Sequence, residues 1–310
     1  MISSPENPPE RPEDGDPELE RSEVDTRAPL HEMVSARPTG AEDPQVQRAL
    51  AIARTHADLL ARVVGDQLVG VYVVGSTALG DAWPHSDVDT FAVLTGALPG
   101  ETVLRRVHNQ LATAHPGVSY DTTYVLEAWL HEHPTGIRTS FSRRGILHVD
   151  ETGSDAHAIG WLELSSGITA AGRPVDELDV AVDVAAAAGY ARTSLSQYWR
   201  RVGAQLAAAA TGQRDDAPLG NPAPVVWAVL SAAQVAAFID RTRRARPGDA
   251  PRVVTKSEAG EWLRNHLPEH ADLAERALRR RRGGTPRFTV ADAIAAAALI
   301  DQLVIVANSR

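Results

Sequence analysis

The sequence predicts an α/β domain, in which helices flank a small mixed sheet, followed by an all-α helical bundle. Two observations lead to this fold class. A helical pattern and three strand-like segments alternate before residue 126, and alanine-rich segments with helical spacing follow after residue 150. With 310 residues the chain has room for two domains. We expect a disordered acidic tail at 1–43, the α/β domain at 44–150 and the helical domain at 151–310.

The acidic charge of the chain is concentrated in its N-terminal tail. Residues 1–43 carry twelve acidic and four basic side chains, whereas the remainder is close to neutral. The tail is rich in Pro, Glu and Asp and poor in large apolar residues, so it cannot bury enough surface to offset the entropy of ordering. Because nucleic-acid affinity is largely electrostatic, the near-neutral body argues against a nucleic-acid partner.

Composition also bounds the compartment. The chain has no cysteine, which excludes disulfides and thiolate metal sites. Its first residues, MISSPENPPERPEDGD, lack the basic flank and apolar stretch of a signal peptide. No run approaches the roughly 20 apolar residues of a membrane span. We expect a cytoplasmic monomer with no membrane partner.

Hydrophobic periodicity places the elements of the α/β region. Residues 44–66 carry an apolar stripe at helical spacing, and 68–74 reads as a buried strand. Residues 88–94 and 118–126 are rich in β-branched and aromatic residues and predict two further strands, with a helix between them at about 100–113. Later, the alanine-rich segments 179–210, 224–244 and 289–307 predict long helices.

Paired carboxylates and a small-residue turn carry the chemistry. Asp87 and Asp89, two positions apart, point to the same face of a strand. Their repulsion favours a divalent cation, and Mg²⁺ prefers such hard oxygen ligands. Upstream, Gly75 and Ser76 end the first strand in a turn that offers N–H groups and a hydroxyl to a phosphate. The pattern predicts that one strand end binds phosphate and the next holds the metal.

The stretch GSTALGDAWPHSDVD resembles the G-S-x(10)-D-x-D signature of the polymerase-β-type nucleotidyltransferase superfamily, matching at Gly75, Ser76, Asp87 and Asp89. The resemblance implies an α/β nucleotidyltransferase domain that binds a nucleotide triphosphate with two Mg²⁺ ions. It also implies a third carboxylate on a later strand, for which Asp121 in VSYDTTYV is the candidate, as metal ligand or base.

A second stretch, VVTKSEAGEWLRNHLPEH, resembles the streptomycin/spectinomycin 3''/9-adenylyltransferases, which carry a helix-borne lysine in the pattern K-x-x-A-x-x-W. The resemblance implies that Lys256 contacts the phosphates of ATP. It further implies a small-molecule acceptor, such as an aminoglycoside or aminocyclitol antibiotic, that receives AMP on a hydroxyl.

The sequence departs from that family at three places. LGNPAPVVWAVL, before the second alanine-rich helix, lacks the acids that pair with a cationic drug, and Asp215 and Asp216 are the nearest substitutes. Ala232 and Ala233 stand where an arginine is usual, and the third carboxylate is Asp instead of Glu. Two alternatives therefore stay open: nucleotidyl transfer to a protein or RNA, and nucleotide binding without catalysis.

Overall fold

The computed structural model describes residues 43–84, 86–132, 137–152, 154–246, 249 and 251–309. The predicted disordered tail lies, except for its last residue, outside the described residues. The described strands are β1 Leu68–Val73, β2 Val88–Leu94, β3 Tyr120–Leu126, β4 Thr139–Arg143, β5 Ile146–Glu151 and β6 Ile168–Gly172. The described α-helices are α1 Pro44–Val64, α2 Gly75–Ala78, α3 Glu101–Ala114, α4 Ala158–Ser165, α5 Val184–Ser194, α6 Arg200–Ala210, α7 Ala223–Arg244, α8 Lys256–His266, α9 Ala271–Arg281 and α10 Val290–Asn308.

The six strands form one mixed sheet in the order β5-β4-β3-β2-β1-β6. Only β2 and β3 pair in parallel, which requires the crossover through α3. Helices α1 and α3 cover one face of the sheet, where Ala92 and Leu94 of β2 are buried. On the other face Phe91 packs edge-on against Trp161 of α4, with 6.1 Å between ring centroids. Alternate residues of β2 therefore serve two different cores.

The helices after residue 183 share a separate hydrophobic core, which is dominated by alanine and leucine. Helices α5 and α6 are joined without a break by a π-helical turn at Leu195–Trp199. By length and composition alone, Ala223–Arg244 and Val290–Asn308 are apolar enough to cross a membrane. The expectation that no segment approaches a membrane span was wrong by that measure. Both helices supply buried residues to the shared core, so the finding is weak evidence for a membrane.

The predicted strands and helices of the α/β region are present, and three further strands were missed. The β4–β5 hairpin extends the sheet at one edge, and β6 pairs antiparallel with β1 at the other. Because Ile168–Gly172 lies beyond residue 150, the sheet takes its last strand from the segment assigned to the helical domain. All described residues belong to one compact unit of the chain, and the division at residue 150 stays a prediction.

A buried polar chain links α1 to the sheet. His56, fully buried on α1, shares hydrogen bonds with the hydroxyls of Tyr120 at 2.7 Å and Tyr124 at 2.9 Å. Thr90 on β2 donates to the Tyr120 hydroxyl at 3.0 Å, and the Tyr124 hydroxyl reaches His108 on α3 at 3.0 Å. Burial lowers the pKa of His56 to about 3, so this imidazole is neutral at pH 7.

We predict that His56→Leu destabilises the protein by about 2–3 kcal/mol, because two buried hydroxyls each lose a hydrogen-bond partner. Urea unfolding measures this change. The control is His131→Leu, since the side chain of His131 is 48% exposed and pairs with an exposed carboxylate. The control should stay within about 0.5 kcal/mol of wild type. An equal loss in both variants would contradict a structural role for the buried chain.

Acid should weaken the fold through the same histidine. The pKa of His56 is about 3 in the folded state and 6.5 when unfolded, because burial disfavours the charged ring. Below pH 6.5 the unfolded chain therefore binds the extra proton, and stability falls by up to about 1.4 kcal/mol per pH unit as the pH drops toward 3. Unfolding free energies of wild type and His56→Gln between pH 7 and pH 4 measure this dependence. The wild-type curve should be steeper, and parallel curves would exclude His56 as the source.

Candidate active site

The turn after β1 approaches a carboxylate of the neighbouring strand. Gly75 has φ +63°, in the left-handed region that favours glycine. A Cβ at this position would lie 2.7 Å from Oδ2 of Asp89. The Val74 N–H donates to the Asp89 carbonyl oxygen at 2.9 Å, which fixes the end of β1 beside β2. Glycine is therefore required here both for the backbone angle and for the close approach.

Three carboxylates meet at the N-terminal ends of the neighbouring strands β2 and β3. Asp89 on β2 lies directly opposite Asp121 on the parallel strand β3, and Asp87 immediately precedes β2. Oδ1 of Asp121 accepts a hydrogen bond from the backbone N–H of Arg144 at 2.6 Å. These carboxylates line a cavity of about 580 Å³, which is also lined by Gly75, Ser76 and Lys256. The structure thus brings all six residues singled out in the sequence to one cavity.

Lys256 is the first residue of α8, whose start is strongly determined. Thr255 caps the helix, with its Oγ1 accepting from the Glu258 N–H at 3.0 Å and its own N–H donating to Glu258 Oε2 at 2.8 Å. Arg241 and Arg252 both pair with Glu258. A lysine at the N-terminal end of a helix opposes the helix dipole. Burial, with the neighbouring Arg281 guanidinium, lowers the pKa of Lys256, although the carboxylates Asp89 and Asp87 oppose this fall.

Sequence reasoning missed three acidic residues of the cavity. Asp81, after the signature turn, Asp155, in the loop before α4, and Glu163, on α4, all line it. Glu163 interrupts the apolar run IGWLELS, which was a usable signal, because a charge within a buried stretch requires a reason. Asp155 stands in a polar loop and gave no such signal.

The crowded acids hold protons unusually tightly. The pKa of Asp89 is raised to about 7, first by burial and then by the charges of Asp155, Asp87 and Asp121. Burial, with Asp155 and Asp89, raises the pKa of Glu163 to about 8. The pKa of Asp121 rises to about 6, again mainly through burial, although the Arg144 N–H opposes the rise. The cavity therefore holds several carboxylates, and the neighbouring positive side chains offset their negative charge only in part.

Helix α7 contributes most of the apolar lining of the cavity. The residues are Ala223, Val226, Trp227 and Leu230, and the polar Gln234 of the same helix also lines the cavity. The guanidinium of Arg144 lies 5.9 Å from the Trp227 ring centroid. Asp215 and Asp216, the suggested substitutes for the missing acids, are absent from the cavity lining. Asp216 instead pairs with Arg214 at 2.8 Å on the exposed surface.

The donor chemistry of the site fits Mg²⁺. Asp87, Asp89 and Asp121 offer hard oxygen ligands whose mutual repulsion a divalent cation relieves. Among the residues the structure describes, no group of three or more His, Cys, Asp or Glu is arranged so that it could hold a metal ion. The fit therefore rests on the type and charge of the ligands.

Of three comparisons with known proteins, the one with solved structures supports the fold. No family model matches the chain, and a search of the curated proteins finds no match. Among the solved structures, spectinomycin adenyltransferase AAD(9) from Enterococcus faecialis, solved with ATP and spectinomycin, superposes with a TM-score of 0.61. The sequences are 15% identical, and the match covers 82% of this chain and 98% of that chain. The protein thus has a nucleotidyltransferase-like fold, with a mixed six-stranded sheet and flanking helices.

We predict that Asp89→Asn raises the melting temperature in the absence of divalent ions. Since the pKa of Asp89 is about 7 when folded and 3.8 when unfolded, ionisation costs stability that grows from pH 3.8 to 7 and is fully present at pH 8. Removing the charge should raise the melting temperature at pH 8 by at least about 3 °C. The control is Asp66→Asn at an exposed position. A lower melting temperature for Asp89→Asn would refute the repulsion argument.

Proposed function

We propose that this protein transfers AMP from ATP to a hydroxyl group of a small molecule. One observation carries the proposal: a glycine-serine turn, two carboxylates on neighbouring parallel strands and a helix-borne lysine line one cavity of an adenyltransferase-like fold. The solved neighbour was crystallised with ATP and spectinomycin, which supports a nucleotide donor and a small acceptor. A cytoplasmic location and a monomeric state stay predictions.

Different groups of the chain bind different parts of the nucleotide donor, ATP. The N–H groups of the Gly75–Ser76 turn and the Ser76 hydroxyl bind the β- and γ-phosphates, and the Lys256 ammonium adds a positive charge beside them. Mg²⁺ would be held by Asp87, Asp89 and Asp121. When bound, it would neutralise negative charge on the triphosphate and on the departing pyrophosphate. Binding of ATP together with Mg²⁺ should therefore lower the repulsion among the carboxylates, because the cation offsets their charge, and should also orient the α-phosphate.

The transfer of AMP forms one P–O bond and breaks another, and it moves one proton. The acceptor oxygen forms a bond to the α-phosphorus, the bond from that phosphorus to the bridging oxygen of the β-phosphate breaks, and pyrophosphate leaves. The Asp121 carboxylate takes the hydroxyl proton. The pKa of Asp121 is about 6 without a bound ion, and Mg²⁺ would lower it, so the group is ionised at pH 7 and able to accept a proton.

The acceptor side combines charge with apolar surface. Asp155 lies on this cavity and offers a carboxylate to an amine-bearing acceptor, while Trp227 and Leu230 offer apolar contact. An aminocyclitol or aminoglycoside meets the first requirement. The α7 residues of the lining include no acid, which differs from the pattern expected of the antibiotic enzymes.

The test is pyrophosphate release from Mg-ATP across a panel headed by spectinomycin, streptomycin and other aminoglycosides. We expect release that depends on one acceptor, with a mass gain of one AMP on it. Asp87→Asn should lower turnover by about 100-fold or more, because it removes a ligand of the charge-neutralising ion. Asp66→Asn serves as the matched control and should keep full turnover.

Three outcomes separate the alternatives. AMP found on a protein or RNA acceptor, with no transfer to small molecules, would replace the proposed acceptor class. ATP binding without pyrophosphate release across all acceptors would favour a binding protein. Normal turnover by a folded Asp87→Asn variant would refute the metal assignment.

A further inference from the structure

A buried ion pair forms part of the cavity lining and involves none of the six predicted site residues. Asp81 follows the Gly75–Ser76 turn, and Arg281 is the last residue of α9. Arg281 Nη1 donates to Asp81 Oδ1 at 3.1 Å, and the two side chains are only 11% and 8% exposed. The second guanidinium nitrogen donates to the Asp81 carbonyl oxygen. A buried charge pair is costly to desolvate, so its place in the cavity lining requires a reason.

The same carboxylate also binds the start of α8. The Ser257 hydroxyl donates to Asp81 Oδ1 at 2.6 Å, and the Ser257 N–H donates to Oδ2 at 3.2 Å. Ser257 directly follows Lys256. A carboxylate at a helix N-terminus is favourable, so Asp81 acts as a second cap on α8, contributed from 176 positions away.

Asp81 is tied equally closely to the signature turn. Its N–H donates to the Ser76 carbonyl oxygen at 2.8 Å. Leu79, in the same loop, packs against the helical core. A continuous path of short contacts therefore runs from Ser76 through Asp81 and Ser257 to Lys256. The two phosphate-binding groups of the proposed site are connected through this one residue, by its backbone N–H on the side of the turn and by its carboxylate on the side of α8.

We propose that Asp81 is a positioning residue for nucleotide binding, which fixes Lys256 relative to the Gly75–Ser76 turn. This inference rests on the proposed function, because it assumes that these groups bind the phosphates of ATP. Loss of the carboxylate lets the start of α8 shift away from the turn, so that the ammonium and the turn no longer meet the same phosphates. The affinity for the nucleotide should decrease, while the apolar lining residues of α7 keep their own packing.

The experiment is calorimetric titration of the full chain with Mg-ATP. Asp81→Asn should weaken ATP binding about tenfold, within the range found for residues that act through a neighbour. The KM for ATP should rise in parallel, with the KM for the acceptor unchanged. The control is Asp292→Asn, which breaks a comparable pair with Arg276, at 2.7 Å between α10 and α9. It should lower the melting temperature and leave ATP affinity at the wild-type value.

A milder variant covers the case in which Asp81→Asn does not fold. Ser257→Ala removes one hydroxyl and keeps the ion pair, and we expect ATP binding about threefold weaker. Wild-type affinity in Ser257→Ala and in a folded Asp81→Asn would overturn the inference, as would equal losses in Asp81→Asn and Asp292→Asn. Failure of the wild type itself to bind Mg-ATP would refute the proposed function first, so the two failures are distinguishable.

Discussion

Electrostatic repulsion at the N-terminal ends of β2 and β3 is the constraint on which the site depends. The parallel pairing of these strands puts Asp89 opposite Asp121, and Asp87 immediately precedes β2. Carboxylates this close resist ionising together, and burial adds to the cost. Two neighbouring groups offset part of this cost. The backbone N–H of Arg144 donates a hydrogen bond to Asp121, and the Lys256 ammonium favours the ionised form of Asp89. The remaining imbalance suits a ligand that brings cations with it.

The repulsion among the carboxylates also explains why α8 must pack against the ends of β2 and β3. Lys256 stands on α8, far along the chain from the carboxylates it balances, so its place depends on tertiary packing. The capping box of Thr255 and Glu258 fixes where α8 begins, and Asp81 fixes that point against the signature turn. Charge balance in the cavity is thus linked to the contact between the sheet and the helices.

Local patterns predicted the parts of this arrangement that neighbours in sequence determine. The turn at Gly75, the pair Asp87 and Asp89 and the limits of β2 all follow from spacing and residue type within one short stretch. The β4–β5 hairpin and β6 were missed because their residues are mixed in polarity and become strands by pairing at the sheet edges. Edge strands of this kind depend on partners more than on propensity.

The missed site residues have the same explanation. Asp155, Glu163 and the Asp81–Arg281 pair reach the cavity through contacts between distant segments, the last across 200 positions. A single sequence carries no spacing rule for such contacts. Lys256 was found only because its helix resembles a known pattern, and composition alone would have left it a solvated lysine.

The two sides of the cavity are held together by different forces. Around Lys256, short polar contacts centred on Asp81 and Glu258 set positions individually, and each depends on direction as well as distance. On α7, Trp227 packs against Trp199 with 4.7 Å between ring centroids, a contact governed by shape and area. Apolar packing tolerates exchanges of similar volume, whereas a buried charge network does not. The apolar lining on α7 can therefore vary in sequence more readily than the polar network around Asp81, which matches a chain that keeps the signature turn but lacks the acids expected on α7.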